Sequence, residues 1–151
     1  MTRTPLILFI EDDTDYADLI LTILRKRYNY EVIWAQSPSE VREILKKKKN
    51  FDLIITDIEL PEYNGDFIAK VLNMEGILKD TPLLISSGLY DEVYLEKVRL
   101  SDSMQQCFYM DFCEKGKSAW LIFKIKQLIN LRDFMYKYRD MERTLDNLKA
   151  V

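Results

Sequence analysis

Leu6-Ile7-Leu8-Phe9-Ile10 is an unbroken apolar run, and it stops at Glu11-Asp12-Asp13. Leu53-Ile54-Ile55-Thr56 ends the same way, in Asp57, followed by Ile58-Glu59-Leu60-Pro61 and then Gly65. Runs this short, with no polar alternation, predict strands covered on both faces, as in a parallel sheet. Between them the period changes. Ala17, Ile20, Leu21 and Leu24 fall at helical spacing and predict a helix over about 14–28, capped by Asp13 or Thr14. Arg25-Lys26-Arg27 suit its C-terminal end, where cations meet the negative end of the helix dipole. Glu31 to Ala35 reads as a second strand. Ser37-Pro38 reads as an N-cap followed by Pro at the first helical position. The helix it opens is predicted to run to about Lys48, with Val41, Ile44 and Leu45 inward, and the basic run Lys46 to Lys49 reads as cations at its C-terminal end.

Phe51 to Asp57 is the third predicted strand, followed by a Pro61 to Gly65 loop and a helix over about 66–74. Thr81-Pro82 opens a fourth strand, Leu83 to Ser86, with Ser87-Gly88 as a loop. A fourth helix is expected over about 91–100, and a short fifth strand over about 110–113, ending in Glu114-Lys115-Gly116. Strands alternating with helices predict βαβ crossovers and an α/β fold with a five-stranded, parallel, doubly wound sheet. In such sheets the site lies beyond the carboxyl ends of the strands, where the strand order reverses.

From Ser118 to about Lys149 no Pro or Gly interrupts a single helical pattern, more than twice the usual helix length. Only its first half is needed to cover a sheet. Apolar residues then recur at 131, 135, 138, 141, 145 and 148, a heptad with one irregular step. Residues 1–130 are therefore expected to form one domain. Residues 131–151 are expected to project as a self-associating extension, a coiled-coil linker toward an output domain beyond this chain. A helix packing back on its own domain is the other reading.

Composition narrows the class. The 151 residues fit one domain plus an appendage. Hydrophobic residues at 48% and charged residues at 31% are the balance of a water-soluble globular chain. A net charge of -3 gives no electrostatic pull toward nucleic acid, and no DNA-binding motif is visible. The apolar runs fall far short of the ~20 residues that a membrane-spanning helix needs. No signal-peptide core precedes the first strand, and Cys107 and Cys113 lack the CxxC spacing of metal or redox pairs. Reduced thiols and a cytoplasmic location are expected. There is no histidine. A His base, a His metal ligand and a phosphohistidine within this chain are excluded, which leaves carboxylates, Lys or metal-bound water for acid–base chemistry.

Four groups converge at predicted strand ends: Glu11 and Asp12, Asp57, Ser87, and Lys115. Singly, each has an ordinary explanation: a helix cap, a loop hydroxyl, a solvated cation. Together they fit phosphoryl transfer to a carboxylate. Clustered acids repel one another and favour a hard divalent cation, most plausibly Mg²⁺, held by oxygen ligands. Such a cation offsets the charge of Asp57 and of an incoming phosphoryl group. Lys115 can bind a phosphoryl oxygen as a point charge, the Ser87 hydroxyl can bond another, and attack by Asp57 gives an aspartyl phosphate. Trp34 and Trp120 are expected to lie far from this cluster.

The stretches Ile7-Leu8-Phe9-Ile10-Glu11-Asp12-Asp13, Asp52 to Pro61 with Gly65, Thr81 to Gly88, and Phe112-Cys113-Glu114-Lys115 resemble, in order, the receiver (phosphoacceptor) domain of bacterial two-component response regulators. The resemblance covers about residues 5–130. It implies a flavodoxin-like (βα)5 fold, with Asp57 as phosphoacceptor, Asp12 as direct metal ligand and Glu11 as a ligand through water. It implies that Glu59 offers its backbone carbonyl to Mg²⁺, that Ser87 and Phe112 form the switch pair, and that Lys115 is the family lysine. It further implies a sensor histidine kinase or phosphotransfer protein as donor, a signalling face made by the fourth helix, fifth strand and fifth helix, and a chain that catalyses only its own phosphorylation and dephosphorylation. Homodimerisation is expected through that face or through the C-terminal helix.

Three positions depart from the family pattern. Gly116 replaces the usual Pro after the lysine and is expected to loosen the loop that carries Lys115. Gln105 to Met110 replaces a small Gly-Ala turn and brings apolar surface, for packing or for a partner. Phe112 has no hydroxyl, so it can change rotamer but form no hydrogen bond. Two other classes remain: a phosphorylation-independent interaction module with the receiver fold, and an Asp-nucleophile phosphatase. Asp57-Ile58-Glu59 echoes the Asp-x-Asp of haloacid-dehalogenase-like enzymes, but it follows the third strand rather than the first, and no insertion is long enough for a cap.

Overall fold

The computed structural model describes residues 3–48, 50–57, 65–88 and 107–151, with the backbone alone for 65–69. Five strands form one parallel sheet: β1 (Leu6–Ile10), β2 (Glu31–Ala35), β3 (Leu53–Thr56), β4 (Leu83–Ser87) and β5 (Met110–Glu114). Their order is β2-β1-β3-β4-β5, so the winding reverses between β1 and β3. This is the doubly wound α/β sheet that the alternation of strand and helix patterns predicts. The expected Glu59, the 61–64 loop, the fourth helix over 91–100 and Gln105-Gln106 lie outside the described residues.

Successive side chains of a strand point to opposite faces, so each apolar run feeds two cores. Leu6, Leu8, Ile10, Ile54, Leu83 and Ile85 face α2 (Pro38–Lys47) and α3 (Gly65–Met74), meeting Val41, Leu45, Val71 and Leu72. Ile7, Phe9, Leu53, Ile55 and Leu84 face α1 (Thr14–Thr22) and the C-terminal helix (Ser118–Lys149). Each fully buried Leu, Ile or Phe contributes about 1.5–3 kcal/mol. Cys107, Met110 and Phe112 pack against the first core, whereas Tyr109 between them is exposed. Both cysteines are free thiols.

The caps explain where helices begin. Asp13 accepts the Tyr16 N–H at 3.0 Å to open α1, and Ser37 accepts the Glu40 N–H to open α2 with Pro38 behind it. The predicted first helix does not run evenly to Tyr28. It passes into a π-helical turn, Ile23–Arg27, closed by Asn29 at φ 55°. There Arg25 donates to the Val32 carbonyl at 2.8 Å, tying the helix end to β2.

At the end of the sheet opposite the strand carboxyl termini, Asp52 joins three parts of the chain. It accepts the Leu6 N–H, both guanidinium nitrogens of Arg3, and Arg132 Nη1 at 2.6 Å. Arg132 and Asp52 are both buried, and Arg132 Nη2 also reaches Asn50 and the Tyr136 hydroxyl. Arg132 is the last buried residue of the C-terminal helix. Farther along, Arg139 pairs with Asp80 and lies over the Phe108 ring, and beyond that the helix is exposed. No described helix is long and apolar enough to cross a membrane.

Candidate functional site

The carboxyl ends of β1 and β3 lie side by side where the strand order reverses, and the ladder continues one residue past each. Glu11 N–H donates to the Ala35 carbonyl at 2.9 Å, and Asp57 N–H to the Ile10 carbonyl at 3.1 Å. The sheet itself thus fixes the backbone of both acids. Their side chains are only 1% and 4% exposed as residues, and Asp12 is half-buried. Carboxylate oxygens of Glu11, Asp12 and Asp57 all lie within 4.8 Å of one another.

Lys115, at the end of β5, reaches across to this cluster. Its Nζ lies 2.5 Å from Asp57 Oδ2 and 2.7 Å from Glu11 Oε2. The Asp57 contact is a directed hydrogen bond, whereas Glu11 Oε2 gains charge neutralisation without one. Glu11 Oε1 accepts the Asp13 N–H at 3.0 Å. Burial pushes the Glu11 carboxyl above its ordinary value, against the pull of Lys115 and the Asp13 N–H. For Lys115 burial acts to lower the pKa, but its pairing with Asp57 and Glu11 outweighs burial and holds the ammonium above its ordinary value. Three clustered carboxylates against one ammonium leave excess negative charge. The donor set is all oxygen, which suits a hard divalent cation.

The Gly116 backbone bears on how Lys115 is placed. Gly116 sits at φ 89°, a conformation that side-chain-bearing residues rarely adopt. The loop is nevertheless well tied: the Lys115 N–H donates to the Ser87 carbonyl at 2.9 Å, just past the pairing of Ser87 with Glu114. Ser87 is the last residue of β4 rather than a loop residue, and it is buried. Ile85 pairs in register with Phe112, and strand alternation puts Ser87 on the same face as both. Phe112 is half-buried against the core on that face.

Two neighbours were not legible in the motifs. The Tyr16 ring lies 4.7 Å from Lys115 Nζ, and its hydroxyl is 3.4 Å from Ser86 Oγ. Burial raises the Tyr16 phenol, so it stays protonated and its ring faces the ammonium as a cation–π partner. The available signal was its place in the first turn of α1, just after the acids. Trp34 corrects an expectation of distance. Its indole N–H donates to the Glu11 backbone carbonyl at 2.8 Å, because β2 pairs with β1 and sets Trp34 opposite Phe9.

A family model described as the response regulator receiver domain matches residues 7–108. The match stops short of β5, so the convergence of Lys115 on the acids rests on the structure. A two-component response regulator of Arabidopsis thaliana is 30% identical over 92 residues, 60% of this chain and 16% of the relative. One of Oryza sativa subsp. japonica is 32% identical over 77 residues, 51% of this chain and 37% of the relative. The chain thus spans well under half the length of these relatives. Among solved structures, a CheY-like response regulator receiver domain protein from Methanospirillum hungatei is similar in fold. Its TM-score is 0.71 at 21% identity, covering 88% of this chain and 99% of that one. A crystal structure described as adenylate cyclase from Rhodopirellula baltica has a TM-score of 0.74 at 20% identity, covering 93% of this chain and 98% of that one.

Proposed function

We propose that this chain, which belongs to the response regulator receiver domain family, is a phosphoacceptor switch in which Asp57 takes a phosphoryl group from a sensor histidine kinase or phosphotransfer protein. The observation that carries this reading is the Lys115 ammonium held between buried Asp57 and Glu11 at the strand ends. The chain has no histidine, so a phosphohistidine donor lies outside these 151 residues.

An Asp57 carboxylate oxygen bonds to phosphorus as the phosphorus–nitrogen bond of the donor breaks, and the imidazole leaves with that electron pair. Glu11, Asp12, Asp57 and the Glu59 backbone carbonyl would hold Mg²⁺. Bound there, it supplies positive charge against the transferring phosphoryl oxygens. Lys115 exchanges its Asp57 oxygen for a phosphoryl oxygen as a point charge. Ser87 donates its hydroxyl proton to another. Phe112, on the same face of the sheet as Ser87, takes the space that movement leaves, and the face of the fourth helix, β5 and the C-terminal helix changes shape. The chain catalyses only its own phosphorylation and dephosphorylation, in the cytoplasm. Residues 131–151 extend the domain toward an output, and two copies meet through the C-terminal helix or through that face.

Intact-mass spectrometry after incubation with acetyl phosphate and Mg²⁺ tests this. One added phosphoryl group is expected, absent without Mg²⁺ and absent in Asp57→Asn. A folded, metal-supplied protein that gains no mass would replace the switch with a phosphorylation-independent interaction module.

A further inference from the structure

Beyond Arg132 the C-terminal helix presents two different sides. Arg132, Tyr136 and Arg139 turn toward the domain: Arg132 reaches Asp52, Tyr136 accepts from Arg132, and Arg139 pairs with Asp80. At about 100° per residue, residues 131, 134, 138, 141, 145 and 148 centre on roughly the opposite side. Their intervals are three, four, three, four and three, a regular heptad stripe. Phe134, not its neighbour Met135, supplies the second position. Phe134 is 65% exposed, whereas Met135 is half-buried on the flank. Along the rest of the stripe Tyr138, Met141, Leu145 and Leu148 are all at least half exposed. The stripe starts at half-buried Leu131, next to Arg132, the last buried residue of the helix. Among the described residues it faces away from the domain, open to a second helix.

The flanking charges choose the occupant. In a parallel, in-register pair the residue before each first seam position faces the partner residue five places on. Lys137 then faces Glu142 of the partner subunit, twice by symmetry, and Thr144 faces Lys149 of the partner subunit, so no like charges oppose. At full antiparallel overlap Lys137 instead meets the Thr144 flank and Glu142 the Met135 flank, and no opposite charges pair. We infer that a second copy of this chain covers the stripe as a parallel, in-register coiled coil, with Lys137 of each copy against Glu142 of the other. This rests on the reading that two copies meet through this helix, and it is independent of Asp57 chemistry.

Sedimentation of the full chain tests it, with phosphoryl uptake measured on the same samples to keep the two readings apart. The expected species is a dimer that Leu145→Glu converts to monomer while uptake is unchanged. Lys137→Glu should weaken self-association by roughly tenfold, since two attractive pairs become repulsive. Adding Glu142→Lys should restore it. Mild oxidation of Leu145→Cys should join two copies. A chain that stays monomeric, a dimer indifferent to Leu145→Glu, or a charge reversal that the second substitution does not rescue would each overturn the proposal. So would a Leu145→Cys chain that cross-links only when mixed with Phe134→Cys, the antiparallel result.

Discussion

The indole N–H of Trp34 donates to the backbone carbonyl of Glu11 at 2.8 Å, which couples an intrinsic fluorophore to the acidic cluster. The second tryptophan, Trp120, is exposed on the C-terminal helix and stacks on Phe123. Titrating Mg²⁺ should therefore change the emission of Trp34 and leave that of Trp120 alone. The change should survive in Trp120→Phe and vanish in Trp34→Phe. It should also vanish when Asp12→Asn and Asp57→Asn together remove two of the three acids. An undiminished signal in that double variant would separate the fluorescence change from the acidic cluster.

Lys115 supplies a pH dependence whose sign is fixed. Its folded pKa is raised above the ordinary 10.5, so the folded state holds the proton more tightly than the unfolded chain does. The stabilisation is fully present below 10.5 and is lost as pH rises through the folded value. Cys107, pushed up to about 11 by burial, acts in the same direction. Thermal melts from pH 9 upward, compared with Lys115→Met, isolate the lysine. The wild-type melting temperature should fall more steeply, and parallel curves would show that the pairing contributes no net stability.

The two arginines on Asp52 should differ sharply. Removing Arg132 by Arg132→Ala takes away a buried partner of buried Asp52 and is expected to cost about 3 kcal/mol. The Arg3 side chain is 55% exposed, and Arg3→Ala should cost about 1 kcal/mol or less. Urea unfolding of the two variants side by side measures the contrast. Equal losses would mean that Asp52 draws its stabilisation evenly from both ends of the chain.

Gly116 isolates backbone from sterics. A Cβ built there would meet nothing within 4 Å, yet its φ is 89°. Gly116→Ala should therefore destabilise by about 1–2 kcal/mol through conformation alone. Gly116→Asn should cost less, because Asn tolerates positive φ better. If Ala proves neutral in urea unfolding, the turn has an alternative backbone path that a side chain can follow.

How far the chain could be read depended on the range of each interaction. The strands were legible because unbroken apolar runs have few alternatives, and the starts of α1 and α2 because Asp13 and Ser37 cap locally. The acidic cluster followed from strand ends, which topology brings together. Arg132 with Asp52 was not legible, being a pair 80 residues apart. Its trace is a lone cation beside apolar Leu128 and Ile129. Trp34 was misjudged because its contact depends on which strand lies beside β1. The choice between Phe134 and Met135 in the stripe needed exposure, since adjacent apolar residues satisfy the same spacing.

One continuous helix of 32 residues both closes the core and forms the arm. Its final 10 residues beyond Arg139, which pairs with Asp80, extend about 15 Å, so a tilt of about 5° at the domain carries Lys149 sideways by about 1.3 Å. With Arg132 on Asp52 and Arg139 on Asp80 as the clamp, small shifts in the packing of Leu121, Ile122 and Ile125 are read at the far tip as displacement. The chain thus has the geometry of a mechanical amplifier whose gain is set by the length of arm left beyond the clamp.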